Sequence, residues 1–185
     1  MTAFGVLERP YSGPVVNELS RAPAGVTAQT SQLFDITTAF VTVTTTIYAA
    51  SIVLPRNLVV ANLGCLVTTA GTVTGFWQGL LDAGLGVRAI TANTAAPSTG
   101  FFNQAATVAY TTPYAGLYYY VLGTVSSVAA QVAATSAAPT AATFAGPPVY
   151  QGTSATAATT TPPPLGTVLG ALTGTVGGLL YGQTS

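Results

Sequence analysis

The chain has 185 residues, enough for one domain with extensions, and 49% of them are hydrophobic, enough for a substantial core. Only 4% are charged, with no Lys and no His and a formal net charge of zero, against roughly 25% charged in an ordinary soluble domain. Four scattered Arg residues cannot neutralise a run of phosphates, so nucleic acid is excluded as a partner and electrostatic binding to a membrane surface is disfavoured.

A surface so poor in charge tends to self-associate. The composition therefore suits a subunit partly covered by copies of itself or by a larger assembly.

Residues 1–32 differ from the rest. Glu8, Arg9, Glu18 and Arg21, half of all the charges, sit here among Pro10, Pro14 and Pro23. Proline fixes φ and removes a backbone donor, so the segment is expected to be extended or irregular. Phe4, Leu7, Tyr11, Val15 and Leu19 give it apolar anchors that a purely solvated tail lacks, and it reads as a docking arm lying across a neighbouring subunit. Residues 1–32 have no charged stretch followed by an apolar one, so no signal peptide is expected.

Residues 33–185 read as a β domain. Val41, Val43, Thr45 and Ile47 alternate with Thr42, Thr44, Thr46 and Tyr48, a period of two with β-branched residues on both faces. Ser51–Leu54 continues this strand or begins another, and Pro55-Arg56-Asn57 is a turn. The apolar run from Leu58 to Thr69 predicts a strand buried on both faces or bulged at Gly64. Residues 70–75 read as a loop and Phe76–Leu81 as the next strand. Asp82-Ala83-Gly84-Leu85-Gly86 then has hairpin-turn chemistry, with Val87–Ile90 returning. Asp82 and Arg88 flank that hairpin and are placed to form an exposed cross-strand ion pair.

Residues 91–103 read as a loop ending in Phe101-Phe102, whose rings must point to opposite faces. A strand is expected over 104–110, a corner at Thr111–Tyr114, and the longest strand from Leu117 to Val132, with Tyr118 and Tyr120 on one face and Tyr119 and Val121 on the other. Residues 133–164, rich in Ala, Thr and Pro, are expected to be mainly a long loop crossing between sheets, with a short strand near Val149-Tyr150.

In the last stretch, Leu165–Tyr181, Gly166, Gly170, Gly174 and Gly178 recur every fourth residue. That is the small-residue spacing of packed membrane helices. The run is shorter than the roughly 20 residues of a span, has no flanking Lys or Arg, and is rich in poor helix formers, so strands with glycine turns are the favoured reading.

Short strands separated by turn chemistry, with no sustained amphipathic helix, predict an all-β, jelly-roll-like antiparallel β-sandwich behind an extended N-terminal arm. No Ser-His-Asp or Cys-His pair can form without His, and zinc sites built from His and Cys are excluded by the counts. Asp35 and Asp82, the carboxylates of the β domain, have no spacing that brings them together. Neither a dinucleotide fingerprint nor a phosphate loop is present, and no region is acidic enough for calcium. No enzyme activity, cofactor or metal is expected. Cys65, in an apolar run, reads as a buried, inert thiol. Binding is open to aromatic residues: Phe76, Trp77, Tyr114 and Tyr118–Tyr120 are the candidates, most of them equally readable as core or subunit interface and the lone Trp77 more readily as core, with Trp77 and Tyr119 the ones offered as glycan or subunit contacts.

Thr74-Gly75-Phe76-Trp77-Gln78-Gly79-Leu80-Leu81-Asp82, then Ala89-Ile90-Thr91-Ala92, then Thr112-Pro113-Tyr114-Ala115-Gly116-Leu117-Tyr118-Tyr119 resembles a domain of small virion-surface proteins of actinobacterial tailed phages such as mycobacteriophages, of the minor tail and head decoration types. The resemblance covers residues 57–125 and brings no catalytic residues. It implies a β-sandwich assembled as a symmetric oligomer on the particle surface; for a decoration protein made in the host cytoplasm a homotrimer is expected. Its partners would be the major capsid protein, for a capsid decoration protein, or tail proteins, for a minor tail protein that binds envelope glycans.

Overall fold

The computed structural model describes residues 28–29, 36–135, 151–174 and 182–184. The expected arm contacts Phe4, Leu7, Tyr11, Val15 and Leu19, and the strand expected near Val149-Tyr150, lie outside the described residues. Twelve strands, β1 (Ala28–Gln29), β2 (Ile36–Val41), β3 (Thr46–Leu54), β4 (Val59–Thr69), β5 (Thr72–Asp82), β6 (Val87–Ile90), β7 (Gly100–Thr111), β8 (Gly116–Val128), β9 (Gln131–Thr135), β10 (Gln151–Ser154), β11 (Leu172–Gly174) and β12 (Gly182–Thr184), form two antiparallel sheets and no helix occurs among the described residues. The protein is an all-β sandwich.

In the first sheet β2, β9, β4 and β7 follow one another, and β12, with β1 beyond it, pairs with β4 beside β9. In the second the order is β11-β10-β3-β8-β5-β6. The core lies between the sheets. Val60, Leu63, Cys65 and Val67 of β4 meet Ala50, Ile52, Phe76, Leu80, Tyr118, Tyr120 and Leu122 of the second sheet. Phe102 of β7 enters the same core and meets Phe76 edge to face, with ring centroids 5.7 Å apart, while Phe101 is 48% exposed, as the alternation of a strand requires.

Several boundaries differ from the expected ones. The threonine run does not continue as one strand: the chain turns at residues 42–45, with Thr45 in the left-handed region at φ 58°. Side-chain hydrogen bonds explain the break. Tyr48 Oη accepts from Val43 N–H, Ser126 N–H donates to Thr44 Oγ1, and Thr124 Oγ1 donates to Val43 C=O, which satisfies the turn without a strand partner. The β4 ladder shifts register at Val60/Asn62 and Val67/Thr69, not at Gly64, and β4 buries one face. The loop expected over 70–75 shrinks to Ala70-Gly71. Gly71, at φ 67°, lies so close to the backbone of Val128 and Ala129 that a Cβ there would fall 2.6 Å from an oxygen. Likewise β7 begins at Gly100, and the long strand expected to Val132 breaks at 129–130 into β8 and β9.

Candidate binding surfaces

The second sheet is apolar on both faces. Its β8 tyrosines alternate as expected: Tyr118 and Tyr120 face the core, while Tyr119 joins Ile47, Ala49, Trp77, Leu81, Val87 and Val121 in a separate cluster on the outer face. That face is roofed by residues 155–171, the long connection between β10 and β11, which folds back over the sheet and places Ala158 and Leu169 against the cluster. Backbone bonds pin the strap at both ends. Ala158 N–H donates to Thr45 C=O, Leu169 N–H to Leu85 C=O, Val87 N–H to Thr167 C=O and Gly166 N–H to Val87 C=O. Among the described residues, Thr45 and Leu85 are two of the three non-glycine residues with positive φ, at 58° and 64°. These two costly backbone conformations thus lie where a carbonyl is turned towards the strap.

Trp77 is fully buried under this strap, and its Nε1–H donates to Thr159 C=O at 2.9 Å. Gly123 makes room for it: a Cβ there would lie 2.2 Å from the indole ring. Tyr119 is 6% exposed. The expectation that Trp77 and Tyr119 offer surface contacts therefore needs correcting: both rings are covered by the chain's own Ala-, Thr- and Pro-rich segment, which burial of so large an apolar area favours. The same segment settles residues 165–174, which run extended into β11, not as a helix.

The open end of the sandwich is different. Three connections meet there: the β3–β4 turn at 55–58, the β5–β6 turn at 83–86 and the β7–β8 corner at 112–115. Thr112, fully buried, ties two of them. Its Oγ1 donates to Pro55 C=O at 2.6 Å and accepts from Leu58 N–H at 2.9 Å. The third is held by Asp82, whose Oδ1 accepts from Gly84 and Gly86 N–H. The expected Asp82–Arg88 ion pair is present and doubled: Oδ2 accepts from Arg88 Nε at 2.7 Å and from Nη2 at 2.6 Å. Burial pushes the Asp82 carboxyl upward, but the Arg88 hydrogen bonds and charge and the two glycine amides outweigh it and hold it below the usual carboxylate range.

Beside the pair stand three tyrosines. Tyr114, 41% exposed, stacks on Tyr118 with centroids 5.1 Å apart and planes 15° from parallel, and Tyr110 meets Tyr118 edge-on at 6.4 Å. Tyr118 Oη donates to Tyr114 C=O. Burial, together with the neighbouring Tyr110 and Tyr114, raises the Tyr118 phenol. Tyr110 is raised too, first by burial, with Arg88 pulling it the other way. All three charges among the described residues, Arg56, Asp82 and Arg88, belong to this end.

One polar chain crosses the core. Tyr120 Oη donates to Gln78 Oε1 at 2.8 Å, Gln78 Nε2 to Gln104 Oε1 at 3.1 Å, and Thr91 Oγ1 to the same oxygen at 3.1 Å. Burial pushes the adjacent Cys65 thiol up to about 12, so it is neutral and unreactive at neutral pH. The network joins β5 and β8 to β7 and fixes how the sheets face one another, since every buried polar atom in it is paired. Gln78, Thr91 and Gln104 carry no motif that marks them in the sequence. Among the described residues, no group of three or more Cys, Asp or Glu gathers to hold a metal, and no helix is long and apolar enough to cross a membrane.

Neither a protein-family model, nor a curated protein, nor a solved structure matches the chain.

Proposed function

We propose that the chain is a non-enzymatic structural protein of a phage particle, displayed on the virion surface as a capsid decoration subunit and assembled as a homotrimer on the major capsid protein. The observation that carries this reading is the strand order. Strands β2 to β9 divide into β2-β9-β4-β7 facing β3-β8-β5-β6, the order that a jelly-roll winding of eight strands produces, and viral capsid domains are among those wound in this way. A fold hosts many functions, so the composition matters as well. With eight charged residues in 185, the free surface has little to keep copies apart, which favours a subunit that works assembled. Residues 1–32, with their five apolar anchors, are the arm that reaches a neighbour in this reading.

A second reading, a minor tail protein that binds envelope glycans, is favoured by the tyrosine and arginine end described above. Immunogold electron microscopy of the phage that encodes the chain separates them. Regular label over the head supports decoration, and deletion of residues 1–32 should then abolish incorporation into particles. Label confined to the tail makes the adhesin reading primary. Particles without label on either part would sink both.

A further inference from the structure

The open end of the sandwich has the parts of a small ligand site, held more rigidly than a solvated turn requires. The Tyr114 ring is fixed from beneath by stacking on Tyr118 and is still 41% exposed. Gly116 lies beside it, where a Cβ would come within 3.5 Å of the ring; glycine leaves that flank bare. Arg88 uses Nε and one Nη2 hydrogen on Asp82. A guanidinium has five N–H donors, so three remain on a side chain that is 43% exposed and oriented by its two bonds to Asp82. Asp82 is saturated, with both oxygens accepting two bonds each, and serves to aim Arg88. The Tyr118 hydroxyl already donates to Tyr114 C=O, whereas Tyr110, edge-on to the Tyr118 ring with centroids 6.4 Å apart, brings a hydroxyl able to donate and accept.

We propose that this end binds a neutral saccharide, with the C–H face of a pyranose on the Tyr114 ring and its hydroxyl and ring oxygens on the free edge of Arg88 and the Tyr110 hydroxyl. Two alternatives fit less well. An anion such as phosphate would want an unopposed cation beside the ring; the Arg88 charge is matched by Asp82 at 2.6 Å, and Arg56, on the β3–β4 turn, is the cation of this end that forms no ion pair among the described residues, so the anionic probe below reads its contribution. A peptide adding a strand would need an unpaired backbone edge; here the turn backbone is already paired, Asn57 N–H with Thr112 C=O, Thr112 N–H with Leu58 C=O and Asp82 N–H with Gly86 C=O. A sugar needs what is present: a fixed apolar plane and hydroxyl-scale donors and acceptors at its rim. The proposal is independent of whether the chain sits on head or tail.

The full chain is tested on immobilised mannan, galactan, arabinan and dextran, with heparin as the anionic probe and an acidic peptide as the protein-like one. Retention on at least one neutral polysaccharide is expected, insensitive to 0.5 M salt. Tyr114→Ala should lower it about tenfold or more, on the scale of a lost aromatic contact. Arg88→Lys, which keeps the charge and loses the fork, and Tyr110→Phe, which removes one hydroxyl, should each lower it several-fold. Val168→Ala, on the exposed surface of the strap, should leave it unchanged. No retention on any neutral polysaccharide overturns the proposal, as does retention that survives Tyr114→Ala, retention on heparin alone that salt removes, or retention on the peptide alone. Tyr110→Phe and Arg88→Lys decide the matter if Tyr114→Ala fails to fold.

Discussion

Two aromatic clusters less than a strand length apart have opposite fates. On the outer face of the second sheet, Trp77 and Tyr119 lie beneath the strap, with the indole N–H bonded to Thr159 and Gly123 cleared to receive the ring. At the open end, Tyr114 and Tyr118 stack on each other and meet the Asp82–Arg88 pair, and nothing among the described residues roofs Tyr114. The first cluster uses its aromatic area for stability and its one polar atom to anchor the cover. The second has part of its ring area and three Arg88 N–H donors still available. The difference is set by what lies over the strand, not by the strand itself.

The largest test of this contrast is deletion of each ring. Trp77→Ala should cost about 3–5 kcal/mol of unfolding free energy, read from urea denaturation, because a fully buried ring leaves a cavity the strap cannot fill. Tyr114→Ala should cost about 0.5–1.5 kcal/mol, the scale of one aromatic pair on a partly exposed ring. Equal losses at the two sites would erase the distinction between them.

A smaller loss sharpens the account of the covered face. Gly123→Ala puts a methyl where the indole ring now lies, and overpacking of this kind costs about 1–3 kcal/mol. Trp77 fluorescence should shift to longer wavelength as the ring is forced against the strap and towards water. An unchanged spectrum with unchanged stability would show that the pocket is looser than its geometry.

The smallest effect belongs to the open end. The Asp82 carboxyl is held low, so its stabilisation is present above the ordinary carboxylate value of about 3.9 and is lost as pH falls through the lowered folded value. Solvent reaches Arg88, and screening keeps the pair within about 1 kcal/mol. Asp82→Asn should therefore cost no more than that at pH 7 and converge with the wild type in acid. A loss that persists unchanged at low pH would show that the role of Asp82 does not rest on its charge.

Much of this was legible along the chain. The Asp82–Gly86 turn, the corner at Thr112–Tyr114, the opposite facing of Phe101 and Phe102 and the alternation of Tyr118, Tyr119 and Tyr120 all follow from local chemistry and the period of a strand. The break at residues 42–45 was not legible, because it depends on Tyr48, Thr124 and Ser126 reaching back to threonines that on their own favour a strand. Of the candidate site, the ion pair was readable from its hairpin. Its company was not, since the pairing of β8 with β5 sets Tyr118 opposite Asp82 and Tyr110 comes from β7 of the other sheet, which pairs with β4.

By itself the sequence determined the class: strand periodicity, glycine and proline punctuation and the scarcity of charge are local or compositional, and they dictate an all-β fold. The tertiary structure decided which aromatics meet solvent. Exposure is a property of the neighbour across a sheet, and for Trp77 that neighbour is Thr159, 82 residues further along, in a segment whose Ala-, Thr- and Pro-rich composition reads as a loop until it is seen lying on the sheet.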